Sequence, residues 1–281
     1  GHSFTYRFLN NRWRNYSDAD CFSSEDTADL TLFQSVRQLD IQKDISPFRH
    51  LLSLENTRKA TAEAFIRYTR PEHLDPEALV KCYTSWELSK EDTLLLQLKS
   101  HHEADMIGLL HLHSLSAYTQ FFRGRFAKVH LCRLEENFCH LALILETPVP
   151  QRVQLSNALL SLSLEKDTAH LVIPVLSGEL KYFLPGPVKD YYYLPKEDRA
   201  IHRSIACYVD KAYRQKATAA TCYIRQEGIF LPSFDTSLQP TFKKSFDDKQ
   251  LYILCDTEKL TSDPAFLRSY ISSLIKEVAS V

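Results

Sequence analysis

His101 and Asp105 stand four residues apart in the run Ser100-His101-His102-Glu103-Ala104-Asp105-Met106-Ile107-Gly108-Leu109-Leu110, which opens a strongly apolar stretch. On a helix, positions i and i+4 share a face. The run would therefore present one imidazole and one carboxylate side by side from a packed element. Such a pair could place a metal-binding acid and a proton acceptor next to a phosphodiester. A solvated His–Asp pair near a helix start would show the same spacing, and at this level both readings stay open.

The bulk properties narrow the setting. The chain has 281 residues, 44% hydrophobic and 25% charged, with a net charge of −1. That is ordinary globular composition with room for one large or two medium domains. A balance so near neutrality attracts nucleic acid only through a local basic face. No apolar run approaches the roughly 20 residues that span a bilayer, and the polar, aromatic start does not read as a signal peptide. The seven cysteines, Cys21, Cys82, Cys132, Cys139, Cys207, Cys222 and Cys255, are odd in number and lack C-x-x-C spacing. They fit a reduced, cytoplasmic setting and, for most of them, small buried side chains. The only methionine is Met106, so the chain reads as processed or truncated, beginning inside a domain.

The elements that must position the pair divide near residue 122. Up to there the pattern predicts helices. Phe4, Phe8, Leu9 and Trp13 recur at helical spacing, Asp29 to Leu39 forms an apolar segment, and Ser53-Leu54-Glu55-Asn56 starts a helix carrying Ala60, Ala64 and Phe65. Asp75-Pro76-Glu77 supplies a cap, a proline at the first helical position and an acid in the first turn. Leu79, Cys82, Tyr83 and Trp86 would form the buried stripe of that helix. Ser89 to Asp92 resembles a capping box before the His101–Asp105 helix, which runs to about Tyr118.

From Arg123 the period becomes two, with strands over Phe126–Arg133 and Phe138–Leu145 and a hairpin of Leu159–Leu164 with His170–Val175. A helical stretch at Ala200–Val209, short strands at Thr221–Ile224 and Leu251–Cys255, and a terminal helix capped by Asp263 complete the expectation. Residues 266, 267, 270, 271, 274, 275 and 278 would form one apolar face of that helix.

Several segments together resemble a known family. Gly1-His2-Ser3-Phe4-Thr5-Tyr6-Arg7-Phe8-Leu9 is similar to the second motif of ribonuclease H-like exonucleases of the DEDD type, Asp29-Leu30 to the aspartate-leucine pair that follows, and Ser53 to Phe65 to a family helix. His101-His102-Glu103-Ala104-Asp105 resembles the third motif, with His102 in place of an asparagine. Gly178 to Phe183, Lys189 to Asp198 and Ile201 to Ser204 resemble the C-terminal unit of the bacterial ribonuclease H-like (YprB-like) proteins. The resemblance implies an α+β chain. Residues 1–122 would be the mostly helical C-terminal part of a ribonuclease H-like domain, and residues 123–281 an antiparallel-sheet α+β accessory domain with a C-terminal helix.

By that resemblance the activity would be 3'-5' exonuclease chemistry with Mg²⁺ or Mn²⁺, Asp105 serving as metal ligand and His101 as base. The family's opening aspartate-x-glutamate has no place before Gly1, and Thr5 stands where the second-motif aspartate would be. A hydroxyl brings no charge to a hard cation, so this polypeptide is expected to lack metal-dependent nuclease activity and to bind no cation. Whether the chain is an enzyme stays open; the other reading is a catalytically dead module for binding nucleic acid or protein. Arg203, Lys211 and Arg214, in a locally basic stretch from Lys189 to Lys216, are the expected nucleic-acid contacts, DNA or RNA alike. The Tyr191-Tyr192-Tyr193 run fits rings packed on a core better than a base-stacking platform. Uncovered apolar faces, Leu109–Leu112 among them, leave self-association open.

Overall fold

The computed structural model describes residues 40–71 and 74–280, together with the backbone of two strands, β1 (Tyr6–Leu9) and β2 (Arg12–Asn15). Thr5 and the Asp29–Leu39 segment lie outside the described residues. The chain divides into two compact units, residues 1–40 and 41–281. In the first, β1 and β2 pair antiparallel with Phe8 opposite Trp13. The helix expected from this run is thus corrected at Phe8, Leu9 and Trp13 to two paired strands, and Phe4 lies outside the described residues. A spacing of only four apolar residues is weak support for a helix.

The second unit is α+β, with every strand pair antiparallel among the described residues. Its centre is a five-stranded sheet of β3 (Lys128–Glu135), β4 (Phe138–Ile144), β5 (Val153–Ser156), β6 (Ser161–Glu165) and β7 (Thr168–Pro174), in the order β3-β4-β7-β6-β5. The period of two turns Cys139, Leu141 and Leu143, Leu162 and Leu164, and Ala169, Leu171 and Ile173 to one face, all 2% exposed or less.

That face is covered by the C-terminal helix, Pro264–Ser280, whose Leu267, Tyr270, Ile271, Leu274, Ile275 and Val278 are buried as their spacing predicts. Asp263 caps the helix by accepting from the Phe266 amide at 3.0 Å. Each large apolar side chain on this face stabilises the fold by about 1.5–3 kcal/mol.

Among the described residues five helices precede the sheet: α1 (Ile41–Ile45), α2 (Lys59–Phe65), α3 (Pro76–Ser89), α4 (Asp92–Leu112) and α5 (Ser116–Phe122). Phe121 and Phe122 of α5 are fully buried and share one hydrophobic cluster with Leu141, Leu171 and Ile271. Residues on both sides of the boundary expected at 122/123 therefore belong to a common core. The turn that joins them needs Gly124, whose φ is +82° and whose Cβ, if present, would lie 2.2 Å from the Arg268 carbonyl oxygen of the C-terminal helix.

Local signals were followed unevenly. Asp75 caps α3 by accepting from the Ala78 amide at 2.7 Å, with Pro76 at the first position. Of the expected stripe on α3 only Cys82 is buried, and Tyr83 is 52% exposed, because α3 packs chiefly against α4. The capping box before α4 is absent: Glu91 is the capping residue and makes no side-chain bond to the helix. The Lys90 residue ahead of it, at φ +56°, ends α3 instead.

A second sheet joins β8 (Leu176–Phe183), β12 (Tyr223–Ser233) and β13 (Leu251–Leu254) in the order β13-β12-β8. A third joins β9 (Tyr191–Leu194), β10 (Arg199–His202) and β11 (Gln215–Lys216). The helix expected over Ala200–Val209 shrinks to α6, Arg203–Ala206, because residues 199–202 pair with β9, Ala200 opposite Tyr193. Short α7 (Thr257–Ser262) and the C-terminal helix, α8, close the chain. No disulfide joins the cysteines among the described residues, and Cys82, Cys139, Cys222 and Cys255 are buried. No helix among the described residues is long and apolar enough to cross a membrane.

Candidate functional site

The His101–Asp105 pair lies on α4 as the spacing requires. What faces it comes from α2 and the segment after it. Asn56 accepts from the Arg58 amide at 2.9 Å and from the Thr61 hydroxyl at 2.8 Å, so α2 starts at Lys59, later than the Ser53 start expected. At the other end Arg67 adopts φ +58° and Tyr68 donates its amide to the Glu63 carbonyl at 2.9 Å. This left-handed stop folds the chain back, so that Tyr68 and Arg70 return to α4.

Arg70 then joins two carboxylates. Its Nε lies 3.0 Å from each Glu63 carboxylate oxygen and its Nη2 2.8 Å from Glu63 Oε1, while Nη1 lies 2.5 Å from Asp105 Oδ1. Lys59 donates to the same Asp105 oxygen at 2.9 Å. The Glu63 and Arg70 side chains are only 8% and 13% exposed, Asp105 39%. Burial pushes the Asp105 carboxyl up, but the hydrogen bond and charge of Lys59, then the charges of Arg70 and His101, outweigh it and hold the pKa below its ordinary 3.8.

His101 is 7% exposed, and its Nδ1 accepts from the Leu74 amide at 3.4 Å. Tyr68 stacks on His111 at 4.5 Å, and its buried hydroxyl has no hydrogen-bond partner among the described residues.

These donors do not suit a divalent cation. The two carboxylates that come together, Glu63 and Asp105, already hold a guanidinium between them, and Asp105 holds an ammonium as well. Among the described residues no three His, Cys, Asp or Glu side chains converge in a way that could bind a metal ion. The Lys59 and Glu63–Arg70 contacts of Asp105 hold α2 against α4, and the buried imidazole ties α4 to the segment at Leu74. Glu63 was missed in the sequence reading; its only signal was one acid between Ala62 and Ala64.

The three basic residues expected to contact nucleic acid fare differently. Arg203 is exposed and paired with Asp190 at 3.2 Å. Lys211 is exposed, in a short 3-10 turn capped by Asp210, whose carboxylate accepts from the Ala212 amide at 2.9 Å. Arg214 points inward: it donates to the Ala206 carbonyl and lies 5.0 Å over the Tyr192 ring, so it is a fastener of the third sheet.

The Tyr191–Tyr193 rings are half-buried and belong to neither hydrophobic cluster, with Tyr191 donating to the Pro185 carbonyl at 2.9 Å and Tyr193 to Asp198. The exposed aromatics are others. Tyr208 is 90% exposed and Tyr213 53%, the latter beneath Lys196 at 4.5 Å. Ile205, 59% exposed, stands beside them on the chain.

A shallow cleft of about 620 Å³ lies along α8, lined by Arg123, Asp235, Arg268, Ser269 and Lys276 among others. Its arginines are committed, Arg123 to Asp44 at 2.6 Å and Arg268 to the Phe126 carbonyl at 2.9 Å. Compared with known proteins, the chain matches no family model, no curated protein and no solved structure.

Proposed function

We propose that this chain is a non-catalytic nucleic-acid-binding module of ribonuclease H-like kinship, acting in the cytoplasm. The observation that carries the reading is the Arg70 guanidinium bridging Glu63 and Asp105. Hydrolysis by two metal ions needs several carboxylates free to converge on cations about 3.5–4 Å apart. Here the one acid that matches the family's third motif is neutralised by two cations of the protein itself.

Binding is assigned to the edge formed by α6 and the 3-10 turn after it. Single-stranded nucleic acid is held by aromatic faces for the bases and by positive charge along the backbone. Tyr208 and Tyr213 offer the first; Lys196, Arg203 and Lys211 offer the second. Two or three phosphate contacts imply weak binding, with log K falling against log salt at a slope of about −0.7 per contact on a single strand.

The test is fluorescence anisotropy with labelled single-stranded DNA and RNA over a salt series, with nucleotide release followed in Mg²⁺ and Mn²⁺. Expected is salt-dependent binding that Tyr208→Ala with Lys211→Ala weakens by about tenfold or more, and no release of nucleotides. Affinity and salt slope unchanged in that double variant would remove the binding surface. Mn²⁺-dependent release abolished by Asp105→Asn would restore the enzyme.

A further inference from the structure

Helix α4 turns two opposite faces outward from its axis. Leu98, His101, Ala104, Gly108 and Leu112 are buried against the rest of the unit. On the other side Leu96 is 62% exposed, Met106 49%, Ile107 39% and Leu110 75%. Lys99 and Glu103 lie between them, both exposed. Steps of three and four residues place all six in one stripe, about 21 Å long at the helical rise. A solvated helix face carries such large apolar groups singly; four in register form an interface.

We propose that this stripe pairs with α4 of a second copy of the chain, antiparallel, about a two-fold axis at the level of His101. The charges select that arrangement. Lys99 and Glu103 are equally distant from residue 101, so an antiparallel pair sets Lys99 against Glu103 of the partner subunit, twice by symmetry. Leu96, five residues before the axis, lies level with Met106 of the partner subunit, and Ile107 of the partner subunit is one residue beyond. A parallel pair would set lysine on lysine and glutamate on glutamate, which is repulsive. Within one helix, lysine four residues before glutamate is the less favourable order, and neither residue forms an ion pair among the described residues. The charges are therefore better matched between copies than within one. One helix pair is small for a protein interface, so the association is on the order of micromolar.

Sedimentation of the full chain over a concentration series tests this, independently of any nucleic acid. The chain should dimerise. Lys99→Glu and Glu103→Lys should each raise the dissociation constant by about tenfold, with helical circular dichroism unchanged. An equimolar mixture of the two variants should recover the original affinity, because glutamates of one then face lysines of the other. Met106, the sole methionine, should be slower to oxidise with peroxide as the chain is concentrated. A dimer indifferent to both reversals would overturn the proposal. So would a monomer at all concentrations: with Met106 readily oxidised nothing covers the stripe, and with Met106 protected a segment of the same chain does.

Discussion

Gly108 of α4 and Glu63 of α2 approach so closely that a Cβ on Gly108 would lie 2.9 Å from Glu63 Oε1 and 3.3 Å from the Tyr68 ring. A flexible glutamate would ordinarily swing away. This one cannot, because Arg70 holds both of its oxygens. Gly108→Ala should therefore destabilise the fold by about 1–3 kcal/mol. The check is the midpoint of urea unfolding, with the slope of the transition unchanged.

Arg70 is the cation on which the cluster depends. Arg70→Met would leave Glu63 nearly buried and unpaired, at a cost of about 3–5 kcal/mol. Adding Glu63→Gln should recover part of that loss, since a neutral amide is less costly to bury than a carboxylate. If the double variant proves as unstable as the single one in thermal unfolding, Arg70 acts through packing alone.

The clamp also makes a statement about acid. Asp105 has a folded-state pKa below its ordinary 3.8. The unfolded chain thus takes up the proton first as pH falls. The stabilisation is present in full above the unfolded value and disappears as pH drops through the folded one. Asp105→Asn should lower stability near neutral pH and flatten its decline below about pH 4. Since the carboxylate is 39% exposed, solvent screening keeps the effect small. Stability measured against pH in both forms would reveal it, and parallel curves would show that Lys59 and Arg70 do not act through Asp105.

Tyr118 ties α5 to the chain ahead of β5. Its hydroxyl donates to the Gln151 carbonyl at 2.5 Å and accepts from the Gln151 amide at 3.0 Å. Burial of the ring pushes its pKa up to about 12, against a smaller lowering by the Gln151 bond. Tyr118→Phe should cost about 1–3 kcal/mol, because both Gln151 groups lose their partner. A spectrophotometric titration should lose one late-ionising tyrosine in the same variant.

Much of the second unit could be read directly. The Pro76 and Pro264 helix starts, the α8 face and the β3–β4 and β6–β7 hairpins appeared where period and capping residues put them. Each rests on neighbours within a few positions, which a sequence displays. The α+β class follows from those elements alone. So does the shared face of His101 and Asp105, a consequence of helical pitch.

What those two side chains face was decided elsewhere. Arg70 is 35 residues from Asp105 and Lys59 is 46, and no local pattern says that a left-handed turn at Arg67 will bring them there. Residues 200–202 looked helical on their own and became a strand because β9 offered its edge. Arg214 looked like a surface charge and found a carbonyl and a ring eight and twenty-two positions away along the chain. The physical reason is common to all of these. Period and capping act through the backbone of adjacent turns. Charge pairing and strand pairing depend on distances that exist only once the chain has closed on itself.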